Sequence, residues 1–327
     1  MYKQFKDYGG IYRLWLVYYP TVFIAEAKYA EIFFTSEATQ AKPELYRMLH
    51  VWLGLGLLTS KGQTWHERRK LLTPAFHFSK LNDFCEVFVK NTLTLVQQLH
   101  QYPDGSLIDV FKIIKLLTLD NICELDPVLG HDTAAASISF TLFLLGAYPE
   151  IQEKCYSELS EIFQDSNRRP SVEDLQKMKY LEQVIKESLR LFPSVPILGR
   201  EAAEDVIMDG YTIPKETTIL LNVYNLHRDP KVFPDPEKFD PERFCQEQCS
   251  GRHPYSFVPF AAGPRNCIGK KFALMEEKVI LSHILRDYML ESEHGIDELQ
   301  LSFQLIIRSQ KSLNVFFHRR KSDLTQL

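Results

Sequence analysis

Cys267 lies in the run Phe260-Ala-Ala-Gly263-Pro-Arg265-Asn-Cys267-Ile-Gly269, at the point where a helical pattern begins. A thiolate at a helix N-terminus is favoured by the positive end of the helix dipole and by nearby backbone N–H groups. Gly263 and Gly269 remove side chains where backbone must lie against a flat ligand. Arg265, two residues before the cysteine, can reach an anionic group on that ligand's edge. Phe260 can cover the sulfur and keep water from it. On these features alone, the segment reads equally well as a Gly-Pro turn before an amphipathic helix with one buried thiol.

Four further groupings carry chemistry in their spacing. Glu187 and Arg190 stand at i,i+3 on one helix face; taken alone, that is an ordinary surface pair worth about 0.2–0.5 kcal/mol. Trp65 and Arg69, four apart, share a face of a charged helix, which by itself reads as a core Trp beside a solvated Arg. The run Gly130-His131-Asp132-Thr133 reads as a helix cap. Cys245, Cys249 and His253 have a loosely zinc-like spacing, but a structural zinc site wants four ligands.

The elements that must position these residues are mostly helical. Residues 11–25 alternate and are rich in aromatic and β-branched types, which predicts two short strands turning at Pro20. Helices are expected over 27–34, 64–72, 82–100, 130–146, 149–163 and 180–192, the last ended by Pro193. Ser171 reads as the N-cap of a helix over 172–178, with Asp174 closing a variant capping box. The stretch 228–264 holds seven prolines yet keeps aromatics of the buried type, which predicts an ordered meander. A helix over 267–288 and a hairpin over 299–318, turning near 309–311, complete the reading.

With 327 residues, 45% hydrophobic, the chain can bury a sizeable core, so composition gives no argument for disorder. A net charge of −4 leaves no basic face for nucleic acid. The six cysteines are scattered rather than dense, which suits reduced thiols better than a disulfide framework. No signal peptide or spanning helix is read.

The full string Phe-x-x-Gly-x-Arg-x-Cys-x-Gly resembles the cytochrome P-450 haem-binding signature at every fixed position. The resemblance implies a mainly α fold with a minor β region, haem b as cofactor, and Cys267 as the thiolate axial ligand of its iron. Glu187-x-x-Arg190 and Pro241-Glu-Arg243-Phe244 resemble two later family motifs, which implies a buried Glu187–Arg190–Arg243 network locking the meander. Trp65-x-x-x-Arg69 and Arg200 resemble propionate-binding positions. Gly130-His-Asp132-Thr133 resembles the oxygen-activating stretch, in which the acid and hydroxyl pass protons for dioxygen reduction. Two departures stand nearby: Ala134 where a second Thr is common, and Leu129 where a haem-linked Glu is frequent in family 4.

Longer strings, Trp65-His-Glu-Arg-Arg-Lys-Leu-Leu-Thr-Pro-Ala-Phe-His-Phe78 and His227-Arg-Asp-Pro230, resemble family 4, the fatty-acid ω-hydroxylase branch. That branch implies insertion of one oxygen atom into a C–H bond of a fatty acid or similar lipophilic molecule. Electrons would come from NADPH through the flavins of NADPH-cytochrome P-450 reductase, with cytochrome b5 as a further donor. Lys270, Lys271 and Arg68 are the expected docking cations. The parent family sits on the cytosolic face of the endoplasmic reticulum membrane.

Two parts of the family pattern are missing. The N-terminal anchor is one. The other follows Thr118-Leu-Asp-Asn-Ile-Cys-Glu124, which resembles a segment well before the central helix, yet Gly130 comes almost at once. Residues 125–128 read as a join, and Pro127 there could only begin a helix. The expectation is an incomplete P-450 fold, one domain over 1–327 with an internal deletion near 124–129. A catalytically incompetent haem-binding product is the alternative to an active monooxygenase.

Overall fold

The computed structural model describes residues 7–16, 18–76, 80–124, 130–164 and 166–320, and it divides into two compact units. The predicted join at 125–128 and the departure at Leu129 lie outside the described residues. In chain order the main elements are β1 (Ile11–Leu16), β2 (Tyr19–Ile24), α1 (Ala27–Thr35), α2 (Gly62–Leu72), α3 (Leu81–Leu99), β3 (Ser106–Asp109), α4 (Val110–Glu124), α5 (His131–Ala147) and α6 (Pro149–Phe163). They continue as α7 (Val172–Lys177), α8 (Lys179–Leu191), β4 (Ile197–Glu201), β5 (Val206–Met208), β6 (Tyr211–Ile213), β7 (Thr218–Asn222), α9 (Lys270–Asp287), β8 (Tyr288–Ser292), β9 (Leu301–Phe303), β10 (Ile307–Ser309) and β11 (Asn314–Arg319). The architecture is mainly α with small sheets.

The first unit comprises Met1–His77, Val195–Lys238 and Gln248–Ile268. Its sheet runs β1-β2-β7-β4, antiparallel except for the parallel β2–β7 pair. Helix α1 buries Tyr29, Ala30, Phe33 and Phe34 in a cluster with Ile24, Ile219, Leu221 and Val258. The predicted turn at Pro20 is displaced: Pro20 lies inside β2, opposite Trp15. The missing N–H is tolerated because the β2–β7 ladder begins only at Thr21.

The second unit comprises Phe78–Ser194, Phe239–Glu247 and Gly269–Leu327. Its centre is α5, buried on every side from Ala134 to Gly146, as a helix apolar on every face apart from the small hydroxyls of Ser137, Ser139 and Thr141 must be. Phe84 and Phe88 of α3 pack edge-on against Phe272 of α9, with ring centroids 5.4 and 4.8 Å away. The capping box of α7 is present: Asp174 N donates to Ser171 Oγ, and Ser171 N donates back to Asp174 Oδ2 at 2.9 Å.

Two expected boundaries move. The last helix begins at Lys270, capped by Gly269, rather than at Cys267. Backbone groups of the preceding residues are already used in turns, so the helix cannot extend back to them. The C-terminal segment is not one hairpin. β9 pairs with β10 around residues 304–306, while β11 is the middle strand of β3-β11-β8. Val315 and Phe317 alternate into the core there, and only a strand with partners on both edges satisfies that stretch of backbone. No single helix among the described residues is long and apolar enough to cross a membrane.

Candidate functional site

The loop that carries Cys267 is held by its own backbone. Val258 N donates to His227 Nε2 at 2.9 Å, Asn266 N to Gly263 O at 3.1 Å, and Cys267 N to Phe260 O at 2.9 Å. Gly263 adopts φ +68°, and a Cβ on it would stand 2.3 Å from the carbonyl oxygen of Phe34 in α1, so only glycine fits. The Cys267 residue is exposed at the end of this loop, and Phe260 is half-buried.

Helix α2 supplies the next contacts. Arg69 donates from Nη1 to Asn266 O at 2.7 Å and from Nη2 to Asn266 Oδ1 at 2.8 Å. Burial lowers the Arg69 pKa, while Cys267 acts in the opposite sense. Trp65, one turn earlier, is buried, and the Arg265 guanidinium lies 4.4 Å from its ring centroid. Both Nη atoms of Arg265 also donate to Ser60 O at 3.1 Å.

Arg200 on β4 is 2% exposed and donates from Nη1 to Gly199 O at 3.0 Å. Its Nε has no hydrogen-bond partner among the described residues. Burial pushes Arg200 down to about 10, and burial followed by repulsion from Arg200 pushes Arg265 down to about 10. Lys42 joins them: burial first, then Arg200 and Arg265, hold its pKa well below the ordinary lysine value. The sequence reading missed Lys42, because a lone lysine in a polar stretch normally reads as solvated.

Glu187, Arg190 and Arg243 come together in the second unit. Arg190 Nε and Nη2 donate to the two Glu187 oxygens at 2.6 and 2.8 Å, and both residues are fully buried. Asp240 N donates to Glu187 Oε1 at 2.9 Å, and Arg243 Nε lies 3.5 Å from the same oxygen. Helix α8 is thereby joined to the Pro241–Phe244 turn.

Asp132 and Thr133 start α5, in the second unit. Asp132 Oδ1 lies 3.2 Å from Arg308, 3.4 Å from Lys115 and 3.7 Å from His131. Burial alone would raise its pKa; Lys115, Arg308 and His131 outweigh it and leave the carboxyl below its ordinary value. Thr133 Oγ1 donates to Gly130 O at 2.8 Å, and Ser194 Oγ donates to Thr133 O at 2.9 Å. Ala134 is buried.

The zinc spacing does not mature into a site. No group of three or more metal-ligating side chains assembles among the described residues. His253 instead caps the Pro254–Ser256 turn, its Nδ1 accepting from Tyr255 N, and Nε2 lies 3.5 Å from Glu31. The expected docking cations Lys270 and Lys271 are exposed, and Arg68 is half-buried.

The cytochrome P450 family profile matches residues 1–125 and 128–316. Human Cytochrome P450 4V2 is 35% identical over 98% of this chain and 86% of its own length. The chain is a cytochrome P450. Drosophila melanogaster Cytochrome P450 4c3 is 33% identical over 96% of the chain and 83% of that protein. Blattella germanica Cytochrome P450 4c21 is 31% identical over 92% and 84%. This P450 therefore belongs to family 4. With 98% of this chain's 327 residues aligned across 450 positions, the human relative carries about 130 residues in that span without counterparts here.

A P450 takes haem b, and this chain's residues fit it. An exposed thiol at the end of a fixed loop suits an axial ligand. The buried cations Lys42, Arg200 and Arg265, with no carboxylate among the groups that shift them, and with the Nε of Arg200 unpartnered, suit the two carboxylates on a haem edge. Cys267 would hold the iron, and Arg200, Arg265 and Trp65 the ring edge. Gly263 and the Arg69–Asn266 pair keep the loop in place.

Proposed function

We propose that this P450 holds haem b through Cys267 and serves NADPH-dependent oxidation of a C–H bond in a fatty acid or related lipophilic substrate. The observation that carries the reading is the Cys267 loop, closed on Phe260 O and clamped by Arg69 through Asn266. Bound haem supplies the redox-active iron that reduces dioxygen and oxidises the substrate. The chain's own part is to keep sulfur ionised and shielded by Phe260, to neutralise the ring's acid groups with Arg200, Arg265 and Arg69 while the Trp65 indole N–H donates to them, and to deliver protons from Asp132 and Thr133. Gly269 starts the following helix, and Glu187, Arg190 and Arg243 hold the meander in place.

Electrons would arrive from NADPH-cytochrome P-450 reductase, with cytochrome b5 as a second donor, at Lys270, Lys271 and Arg68. The parent protein would act at the cytosolic face of the endoplasmic reticulum membrane. The whole chain is read as one P-450 domain lacking an internal block, and the break in the family match between residues 125 and 128 supports placing that block there.

A second reading, a haem-binding product without turnover, is favoured by two observations. About 130 residues have no counterpart here, and Asp132 is engaged by Lys115, Arg308 and the His131 ring rather than open for proton transfer. A site open to water would also lose substrate positioning.

The carbon monoxide difference spectrum of the reduced, haemin-reconstituted protein tests the haem reading. A strongly red-shifted Soret band is expected; a band typical of protonated-thiol or histidine haem would overturn it. Incubation with reductase, NADPH and a fatty acid then separates the two readings, since hydroxylated product appears only under the first.

A further inference from the structure

The thiolate loop is pinned at its leading end by a side chain from elsewhere in the first unit. Val258 is 4% exposed, so its N–H is a buried donor that needs an acceptor. That acceptor is Nε2 of His227, a fully buried side chain, at 2.9 Å. A ring nitrogen that accepts carries no proton, so the neutral imidazole holds its proton on Nδ1. The Phe257 ring lies against the imidazole, with centroids 5.0 Å apart. His227 N donates to Val223 O at 3.0 Å, and Asn222 caps the short helix Val223–Leu226 by accepting from Asn225 N at 3.0 Å.

The carbonyl of Val258 is used as well. It accepts from Ala261 N at 3.0 Å and closes a turn in which Ala261 takes φ +55°. A residue other than glycine stays in that left-handed region only where its surroundings hold it. Between them, the Pro259 ring fixes φ and bars helical backbone at Val258, so Val258, Pro259 and Phe260 form one stiff piece. Phe260 O then accepts from Cys267 N at 2.9 Å. The place of the imidazole is thus carried through three consecutive residues to the peptide that bears the sulfur.

We propose that His227 is a positioning residue for Cys267, fixing the cysteine through Val258, Pro259 and the Phe260 carbonyl. Arg69 holds the trailing end of the same loop at Asn266. Without the imidazole acceptor, the Val258 N–H turns toward water, Ala261 relaxes and the Phe260 carbonyl leaves Cys267 N. The consequence for iron ligation rests on the haem reading above; the anchoring of the loop does not.

The test compares wild type, H227F and H227Q in the full chain. Phenylalanine keeps a ring and loses the acceptor, whereas the glutamine Oε1 restores an acceptor in the place of Nε2. Amide hydrogen exchange of the haem-free proteins reads local opening. H227F should exchange at least tenfold faster at Val258 and Cys267 with the β7 amides unchanged, and H227Q should regain most of that protection. After reconstitution with haemin, most of the carbon monoxide band of H227F should stand at the protonated-thiol position, and H227Q should return most of it to the red-shifted one. Wild-type exchange at Cys267 in H227F would overturn the proposal, as would a wild-type band, equal acceleration in β7, or an H227Q that behaves as H227F does. Should H227F not fold, the imidazole nitrogen-15 shifts of the wild type decide: a bare Nε2 supports the proposal and a protonated Nε2 overturns it. Wild-type protein that takes up no haemin would overturn the haem reading, and the exchange comparison would still decide whether His227 anchors the loop.

Discussion

Arg69 grips Asn266 twice, through its main-chain carbonyl at 2.7 Å and its side-chain oxygen at 2.8 Å, and Asn266 immediately precedes Cys267. A planar guanidinium can serve two acceptors at once, whereas an ammonium acts as a point charge. The helix that bears Trp65 thus also sets the pitch of the thiolate loop.

Arg69→Ala should cost about 1–3 kcal/mol of loop stability, by loss of two charge-assisted hydrogen bonds. Haemin affinity should fall, and part of the carbon monoxide band should move to the protonated-thiol position. Arg69→Lys should recover less than half of the loss. A variant with wild-type affinity and band position would show that the grip is incidental.

Cys267→Ser should leave the melting temperature nearly unchanged, because the residue is exposed and exposed substitutions usually stay within about 0.5 kcal/mol. The red-shifted carbon monoxide band should vanish outright. Its persistence would assign the thiolate to another cysteine.

Glu187→Ala should destabilise the protein by about 3–5 kcal/mol, since it removes the carboxylate that pairs with the fully buried Arg190. Denaturant unfolding would measure this. A loss under about 1 kcal/mol would mean that the Glu187–Arg190–Arg243 network carries no weight in the fold.

Glu276 and Glu277 of α9 give a pH dependence. Burial pushes both up to about 8 from an ordinary 4.5; Asn121, donating to Glu276 at 2.8 Å, opposes the shift, and the Glu276 charge adds to that of Glu277. Between these pH values the folded state holds protons that the unfolded chain has released. Stability is therefore full below about pH 4.5 and declines as pH rises through 8. Glu277→Gln should flatten that decline and add on the order of 1 kcal/mol at pH 8, by loss of a charge-burial penalty. Unfolding midpoints at acidic, neutral and pH 8 conditions would check the slope; an unchanged slope would place the linkage elsewhere.

Much of the fold was legible in advance because it depends on neighbours in sequence. The Ser171–Asp174 capping box, the apolar-rich run of α5 and the Pro193 stop after α8 all follow from contacts within a few residues. The start of α9 was misread by three residues, since the competing turns at Phe260–Cys267 use hydrogen bonds that no periodicity announces. Likewise, the alternation in β11 marked a strand but not its two partners, which lie far away in the chain.

The sequence by itself determined the chemistry: a cysteine with glycines, an arginine and a phenylalanine at fixed intervals, because ligand type and local backbone freedom are properties of residues. Tertiary structure alone decided which charges meet. Arg69 reaches Asn266 across 197 positions, Asp132 meets Arg308, and Lys42 is brought to Arg200 by a bridge between Ala41 and Glu201. Coulomb forces and desolvation act through space, so whether a lysine is solvated or buried among arginines is settled only when distant strands close around it.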